Sequence, residues 1–477
     1  MLIQHTTFAL SSLRRTGLLY FFHKAFRIKQ TKTAVIIIMI KKNPYIWCVK
    51  YLVAVVFTSL NVSINAAESL DFAVTVTSPP NSPQAQTNAA LDTVCNNLTT
   101  DNSGSNLSQV CSFLSNATLE QSTLIAKELS AKTNTASKTL VSRTPSMGSS
   151  QHGVGARLSA LRNSVKKSVL NSFLPNAKSK LNAFGENDGG LLSQRLSAYI
   201  NAHSVTAEQF ETQTEIGYDS TSNGLMAGAD YRLLNRTFIG LVAQYYQTSA
   251  DLTDVGSAMN ANQMGITVYS THFLSDRWYF EGTLNNSQQQ IDLKRQINLN
   301  LNTTVLNTVA KGNTDSQQFG VYLGTGYDIP LMFGFNSVIS AGISYTSTTI
   351  DAYSENGAGN LGLDIDSQSI PSLTSLVNVY LSKVFSTSLG IVIPQISASW
   401  IHETESKEQL IAAKFVNNDQ TKFLFSTPTP DPNYFVIGAD LQLLLTHGRM
   451  FFLKYTNVRR LRDKEESSII GGFRMEF

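Results

Sequence analysis

From Leu192 to Phe477 the chain runs in segments of roughly ten residues whose apolar and polar side chains alternate, each closed by turn residues. Leu225, Ala227, Ala229, Tyr231 and Leu233 alternate with Met226, Gly228, Asp230 and Arg232. Phe319, Val321, Leu323, Thr325, Tyr327 and Ile329 do so against Gln318, Gly320, Tyr322, Gly324, Gly326 and Asp328. A period of two puts successive side chains on opposite faces of a strand, so each segment has one apolar and one mostly polar face. Soluble β-sandwiches alternate in the same way, and the pattern alone does not separate them from barrels.

The connections do. Strands are expected near 195–203, 223–234, 237–249, 260–273, 277–291, 313–329, 335–350, 368–384, 387–402, 433–446, 449–458 and 467–477. Short turns then fall at Leu234 to Thr237, Leu274 to Arg277, Pro330 to Gly334, Phe385 to Ser388 and His447 to Gly448, with long polar loops between them. That order is the one of a membrane barrel, short turns at one end and long loops at the other. The expected fold is all-β: a 12-stranded antiparallel transmembrane β-barrel over 191–477, preceded by a small helical, partly disordered N-terminal region. Its apolar face would meet the outer-membrane lipid bilayer, its Gly, Ser, Thr and Gln face a wet lumen, and closure would pair every backbone group. Tyr245, Tyr269, Trp278, Tyr327, Tyr345, Trp400 and Tyr455, near strand ends, are expected in the interfacial girdles. A barrel built from one chain needs no partner to close, so a monomer is expected.

Composition agrees. Only 15% of residues are charged, the formal net charge is +3, and the Lys and Arg are dispersed apart from clusters such as Lys166-Lys167, so no nucleic-acid footprint is present. Residues 1–67 are expected to be a signal peptide read by the Sec translocon, with Met39 as a possible true start: Lys41-Lys42, an apolar run from Tyr51 to Ile64, then Asn65-Ala66-Ala67.

Residues 68–150 read as a short passenger or linker region, with turn signals at Pro79-Pro80 and Pro83 over 68–90 and short helical pieces after Leu91 that include Leu114, Leu119, Ile125 and Leu129. Cys95 and Cys111 are disulfide candidates in an oxidising compartment; two buried thiols are the alternative. Within 151–190, Val154, Leu158, Leu161, Val165 and Val169 fall at helical intervals among Arg157, Arg162, Lys166 and Lys167. Such a basic helix fits either the surface of a bundle or a polar pore. At the other terminus Phe473, Met475 and Phe477 occupy alternate positions, which resembles the C-terminal signal recognised by the outer-membrane barrel assembly machinery.

From Asp188 to Phe477 the residues resemble the translocator domain of type V autotransporters, in the group with a short N-terminal region. DGGLLSQRLSAYINAHS, EIGYDSTSNGLMAGADYRLLN, IDAYSENGAG, PQISASWIHE and GGFRMEF carry the likeness. ARLSALR at 156–162 is similar to the linker helix that such proteins place inside the pore. The Asn-Asn pair that marks self-cleavage in some members is absent there. The resemblance implies an outer-membrane translocator that displays or anchors its own short passenger at the cell surface.

No HExxH, GxxxxGK or GxSxG stretch occurs, no enzyme, cofactor or metal is expected, and the seven histidines are scattered. His402 and Glu403 end a strand at the expected outer rim, where with a loop acid they would imitate a rim-mounted protease site; a hydrogen-bonded pair anchoring a long loop is the alternative. Three readings follow: a translocator with a surface-exposed N-terminal region, a porin-like channel whose N-terminal region stays periplasmic or plugs the lumen, and a rim-site hydrolase dependent on His402.

Overall fold

The computed structural model describes residues 81–97, 105–130 and 196–477, apart from 213–214, 255, 302–303, 406–407, 419–420, 428, 430 and 447. The chain divides into two compact units, Met1–Thr75 and Val76–Phe477, and all described residues lie in the second. The expected signal peptide and the basic segment with Arg157, Arg162, Lys166 and Lys167 lie outside the described residues.

Twelve long antiparallel strands close into a barrel. In chain order they are β1 (Leu196–Gln209), β2 (Tyr218–Leu234), β3 (Thr237–Leu252), β4 (Ala258–Phe273), β5 (Trp278–Asn300), β6 (Val305–Pro330), β7 (Phe335–Ile350), β10 (Gln368–Lys383), β12 (Ile391–Glu403), β15 (Asn433–Leu444), β16 (Arg449–Arg459) and β17 (Lys464–Glu476). First and last strands pair from Ser197↔Glu476 to Gln209↔Lys464, which closes the sheet and leaves the barrel no free edge.

Five tight connections, among them Asn235-Arg236 and the 3-10 turn Met332–Gly334, sit at one end with Leu196 and Phe477. At the opposite end four of the expected long loops turn out to be largely strand. Residues 204–222, 250–259, 292–312 and 459–466 extend the ladders, and only 210–217, 253–257, 301–304 and 460–463 connect. The extension is largest in β5 and β6, of 23 and 26 residues, well beyond the roughly ten that cross a bilayer. Alternation continues there because the inward face of the hairpin meets a second apolar core instead of water.

That core belongs to a cap. The two long connections that remain, 351–367 and 404–432, carry β8 (Tyr353–Ser354), β9 (Leu363–Ile365), β13 (Leu410–Phe415) and β14 (Lys422–Ser426), a separate four-stranded sheet in the order β14-β13-β9-β8. Helix α1 (Pro83–Asn96) packs on β14 of this sheet, α2 (Asn106–Leu114) on the turn Gly359–Leu361 of the first connection, and α3 (Leu119–Glu128) on α1 and the β5 extension. Residues 83–90, expected as linker, are therefore helix. Pro83 sits in the first turn, where its missing N–H costs nothing, and the Ser82 hydroxyl accepts from the Ala85 amide at 3.2 Å. Ser105 caps α2, and Thr118 with Gln121 forms a capping box on α3. Short helices of this kind are marginal alone. Tertiary contact holds them: Leu91, Val94, Leu107, Val110, Ile125 and Leu129 are buried in one cluster with Leu293, Ile297, Leu361, Phe415 and Phe425. The Asn81 carbonyl accepts from both the amide and the hydroxyl of Ser426, each at 2.8 Å.

Candidate functional site

The alternation sorts the barrel wall into two faces. Outside, Ile200, Leu225, Leu241, Met264, Ile266, Leu284, Leu323, Ile343, Ile396, Leu441 and Leu453 are exposed, an apolar surface that a lipid bilayer covers. Tyr245, Trp278, Tyr327, Tyr345, Trp400 and Tyr455 are exposed on this face. Tyr269 is not. It points into the lumen, 1% exposed, and its hydroxyl donates to Asp230 Oδ2 at 3.1 Å. Met264, Ile266 and Val268 face outward on the same strand, so an odd-numbered residue there must face inward; proximity to a strand end was the misleading cue.

Inside, Asn201, Gln244, Gln263, Thr267, Thr283, Asn285 and Asn378 line a polar wall. Tyrosines lie across it where neighbouring strands offer glycine. Tyr269 rests on its pair partner Gly240 and Tyr246 on Gly224, positions where an added Cβ would collide with the ring. Asp230, Glu281 and Asp328 on β2, β5 and β6 put buried carboxylates on one side of the lumen, with Arg232 nearer the short-turn rim. Tyrosine and serine hydroxyls partner the first two of these acids: Ser197 Oγ donates to Asp230 Oδ1 at 2.7 Å and Tyr322 to Glu281 Oε1 at 3.1 Å. The opposite wall is mixed. Lys464 pairs with Glu466 at 2.8 Å, Arg474 pairs with Glu476, and Lys454 and Asp440 are buried beside them.

The cap stands over the long-loop mouth. At its centre Arg295 of the extended hairpin and Glu355 of the 351–367 connection are both 2% exposed. Arg295 Nε donates to Glu355 Oε1 at 3.1 Å and Nη2 reaches both Glu355 Oε2 and the Leu361 carbonyl, while the Leu363 amide donates to the same carboxylate at 3.0 Å. Cys95 and Cys111 are bonded, with Cα atoms 5.2 Å apart, and tie α1 to α2. Burial raises the Glu128 carboxyl above its ordinary value of 4.5 and the Asp254 charge adds to this, while the Asn298 backbone and Lys127 oppose it. Lys127 also pairs with Glu211 beyond the end of β1, at 3.6 Å.

His402 and Glu403 lie at the long-loop rim on opposite faces of β12 and do not meet. His402 Nδ1 is 3.1 Å from Asn433 Oδ1, and its ring lies 6.1 Å from that of Trp400. The Glu403 carboxylate accepts from the Ser372 hydroxyl at 2.6 Å and the Leu373 and Glu405 amides at 3.1 and 3.0 Å. The two residues thus hold separate partners and do not form the hydrogen-bonded pair that the sequence suggested. Phe473, Met475 and Phe477 share the outer face of β17; the Phe473 ring packs 4.8 Å from that of Phe451, and the Phe477 amide donates to the Leu196 carbonyl at 2.9 Å. Sequence reasoning missed Arg295 and Glu355, which sit in segments expected to be loop. A charge at an inward position of an alternating hairpin was the available signal.

Comparison with known proteins places this geometry. Outer membrane protein B of Rickettsia japonica is 23% identical over 220 residues, which are 43% of this chain and 13% of the relative. Outer membrane protein B of Rickettsia rickettsii is 22% identical over 264 residues, 54% of this chain and 16% of the relative. The chain thus spans under a fifth of the length of these relatives. Among solved structures, the translocator domain of autotransporter NalP from Neisseria meningitidis aligns with a TM-score of 0.49 at 13% identity, covering 66% of this chain and 99% of that one. The β-domain of the Bordetella autotransporter BrkA aligns with a TM-score of 0.43 at 15% identity, covering 59% and 100%. The family model described as autotransporter beta-domain matches residues 199–456, more than half of the chain, and the protein belongs to that family of outer-membrane barrels.

Proposed function

We propose that the barrel is a translocator and anchor that carries its own N-terminal region across the outer membrane and holds it at the cell surface. The carrying observation is the position of the helices. Helices α1, α2 and α3 share one hydrophobic core with the β5–β6 extension and the sheet of the two long loops, at the end of the barrel opposite Leu196 and Phe477. Outer-membrane barrels keep short turns in the periplasm and longer loops outside. On that orientation the helices lie outside and Leu196 inside. The 65 residues 131–195 then join one side of the membrane to the other. Lipid on the outer wall leaves the lumen as their route. Arg157, Arg162, Lys166 and Lys167 suit a lumen that bears Asp230, Glu281 and Asp328. A Sec-read signal peptide and the barrel assembly machinery acting on Phe473, Met475 and Phe477 complete the route.

A short epitope at Ser115, the exposed C-cap of α2, tests this on intact cells, with a periplasmic protein as leakage control. Labelling of unbroken cells is the expected result. Labelling only after the outer membrane is opened overturns it in favour of a channel with a periplasmic or lumen-plugging N-terminal region.

A further inference from the structure

We propose that the outer wall of the barrel carries a binding groove for one anionic glycerophospholipid, at the end with the short turns. The groove, of about 600 Å3, lies on the lipid-facing side across β10, β12, β15 and β16. Its cause is local. β10 and β12 pair down to Ser382↔Gln395, and β11 (Phe385–Ser386) resumes in the same register at Phe385↔Val392, so the ladder lapses over two positions, Lys383 opposite Pro394 and Val384 opposite Ile393. Proline has no N–H to give to the ladder, and its compact ring, with the small Ala439 on β15, leaves a trough between taller walls. Leu381 and Phe385 rise on one side, Leu441, Leu453 and Tyr455 on the other.

A membrane barrel normally presents only apolar residues here, because a cation on the lipid face is costly away from the interface. Lys383 is the exception among the outward residues of this trough; Ser382, Gln395 and Asp440, which also border it, belong to the buried inward set. Its ammonium lies 4.7 Å from the Phe335 ring centroid and 5.4 Å from that of Phe385 at the short-turn end, and no carboxylate of the described residues pairs with it. Two aromatic faces hold the charge in place without neutralising it. A fixed cation at headgroup level, joined to an acyl-sized apolar trough, is complementary to a lipid phosphate with its chain running along the wall. The identity of the leaflet rests on the orientation proposed above; the site itself does not.

The test uses the full chain in detergent, titrated with phosphatidylglycerol or phosphatidylcholine and read by native mass spectrometry. Assembly is checked by heat-modifiable migration. The expected result is one phosphatidylglycerol retained at energies that strip the others, with retention at least tenfold weaker for phosphatidylcholine and for Lys383→Gln. Ala439→Phe, which fills the trough and leaves Lys383 intact, is expected to lose it as well. Equal retention of both lipids, or wild-type retention by either variant, overturns the proposal, as does a dimer that excludes lipid at this face. Because detergent erases sidedness, failure here leaves the surface-display reading untouched, and failure of the epitope test leaves this site untouched.

Discussion

Replacing Glu355 with Gln keeps the volume of the side chain and removes the charge that compensates Arg295. Both groups are 2% exposed, and the Glu355 carboxylate takes hydrogen bonds from Arg295 and from the Leu363 amide. Breaking a buried pair from one side leaves a desolvated charge, at about 3–5 kcal/mol. At about 1.4 kcal/mol per decade this raises the opening constant of the cap by roughly 100- to several-thousand-fold. The perturbed contact joins the β5 extension to the 351–367 connection, and the membrane-crossing ladders do not involve it. Cap and barrel should therefore separate energetically, as independent opening units do. Hydrogen exchange of the Val110, Ile125 and Phe425 amides is expected to accelerate by that factor, while amides of β3 and β4 and the heat-modifiable migration stay unchanged. The double variant Arg295→Met with Glu355→Leu is expected to recover most of the protection, since an apolar pair avoids the desolvation cost. Unchanged exchange in Glu355→Gln, or a double variant no better protected than the single one, would refute the reasoning.

Converting Cys95 and Cys111 to Ser opens a loop with a sequence separation of 16 and is expected to cost about 3 kcal/mol, read as faster protease cleavage near Ser115 with the barrel intact. Glu128 sets a pH dependence. An acid whose folded value lies above its unfolded one holds its proton more tightly in the fold, so the contribution is fully present below about 4.5 and is lost as pH rises through the raised value. The cap should resist protease better in mild acid than at neutrality, and Glu128→Gln should flatten that difference; a wild-type slope in the variant counts against the assignment.

Much of the barrel was legible residue by residue. The short turns after Leu234, Leu274 and Pro330 and the inward and outward sets of β2 and β6 follow from period-two alternation, because the side-chain direction of a strand is a local property. Tyr269 was legible by the same rule and misread by position. Other features were not local. Pro83 opens a helix and not a turn because a core exists to receive it, and that core joins Leu91 to Phe425, far apart in sequence. The extension of β5 and β6, the burial of Arg295 and the trough at Pro394 likewise depend on which segments become neighbours across the closed sheet. The sequence by itself determined a twelve-stranded barrel and its two faces, since alternation and turn chemistry need only nearby residues. The tertiary structure alone decided that the N-terminal helices and the loops form one cap, because an apolar stripe on a short helix does not name the surface that will cover it.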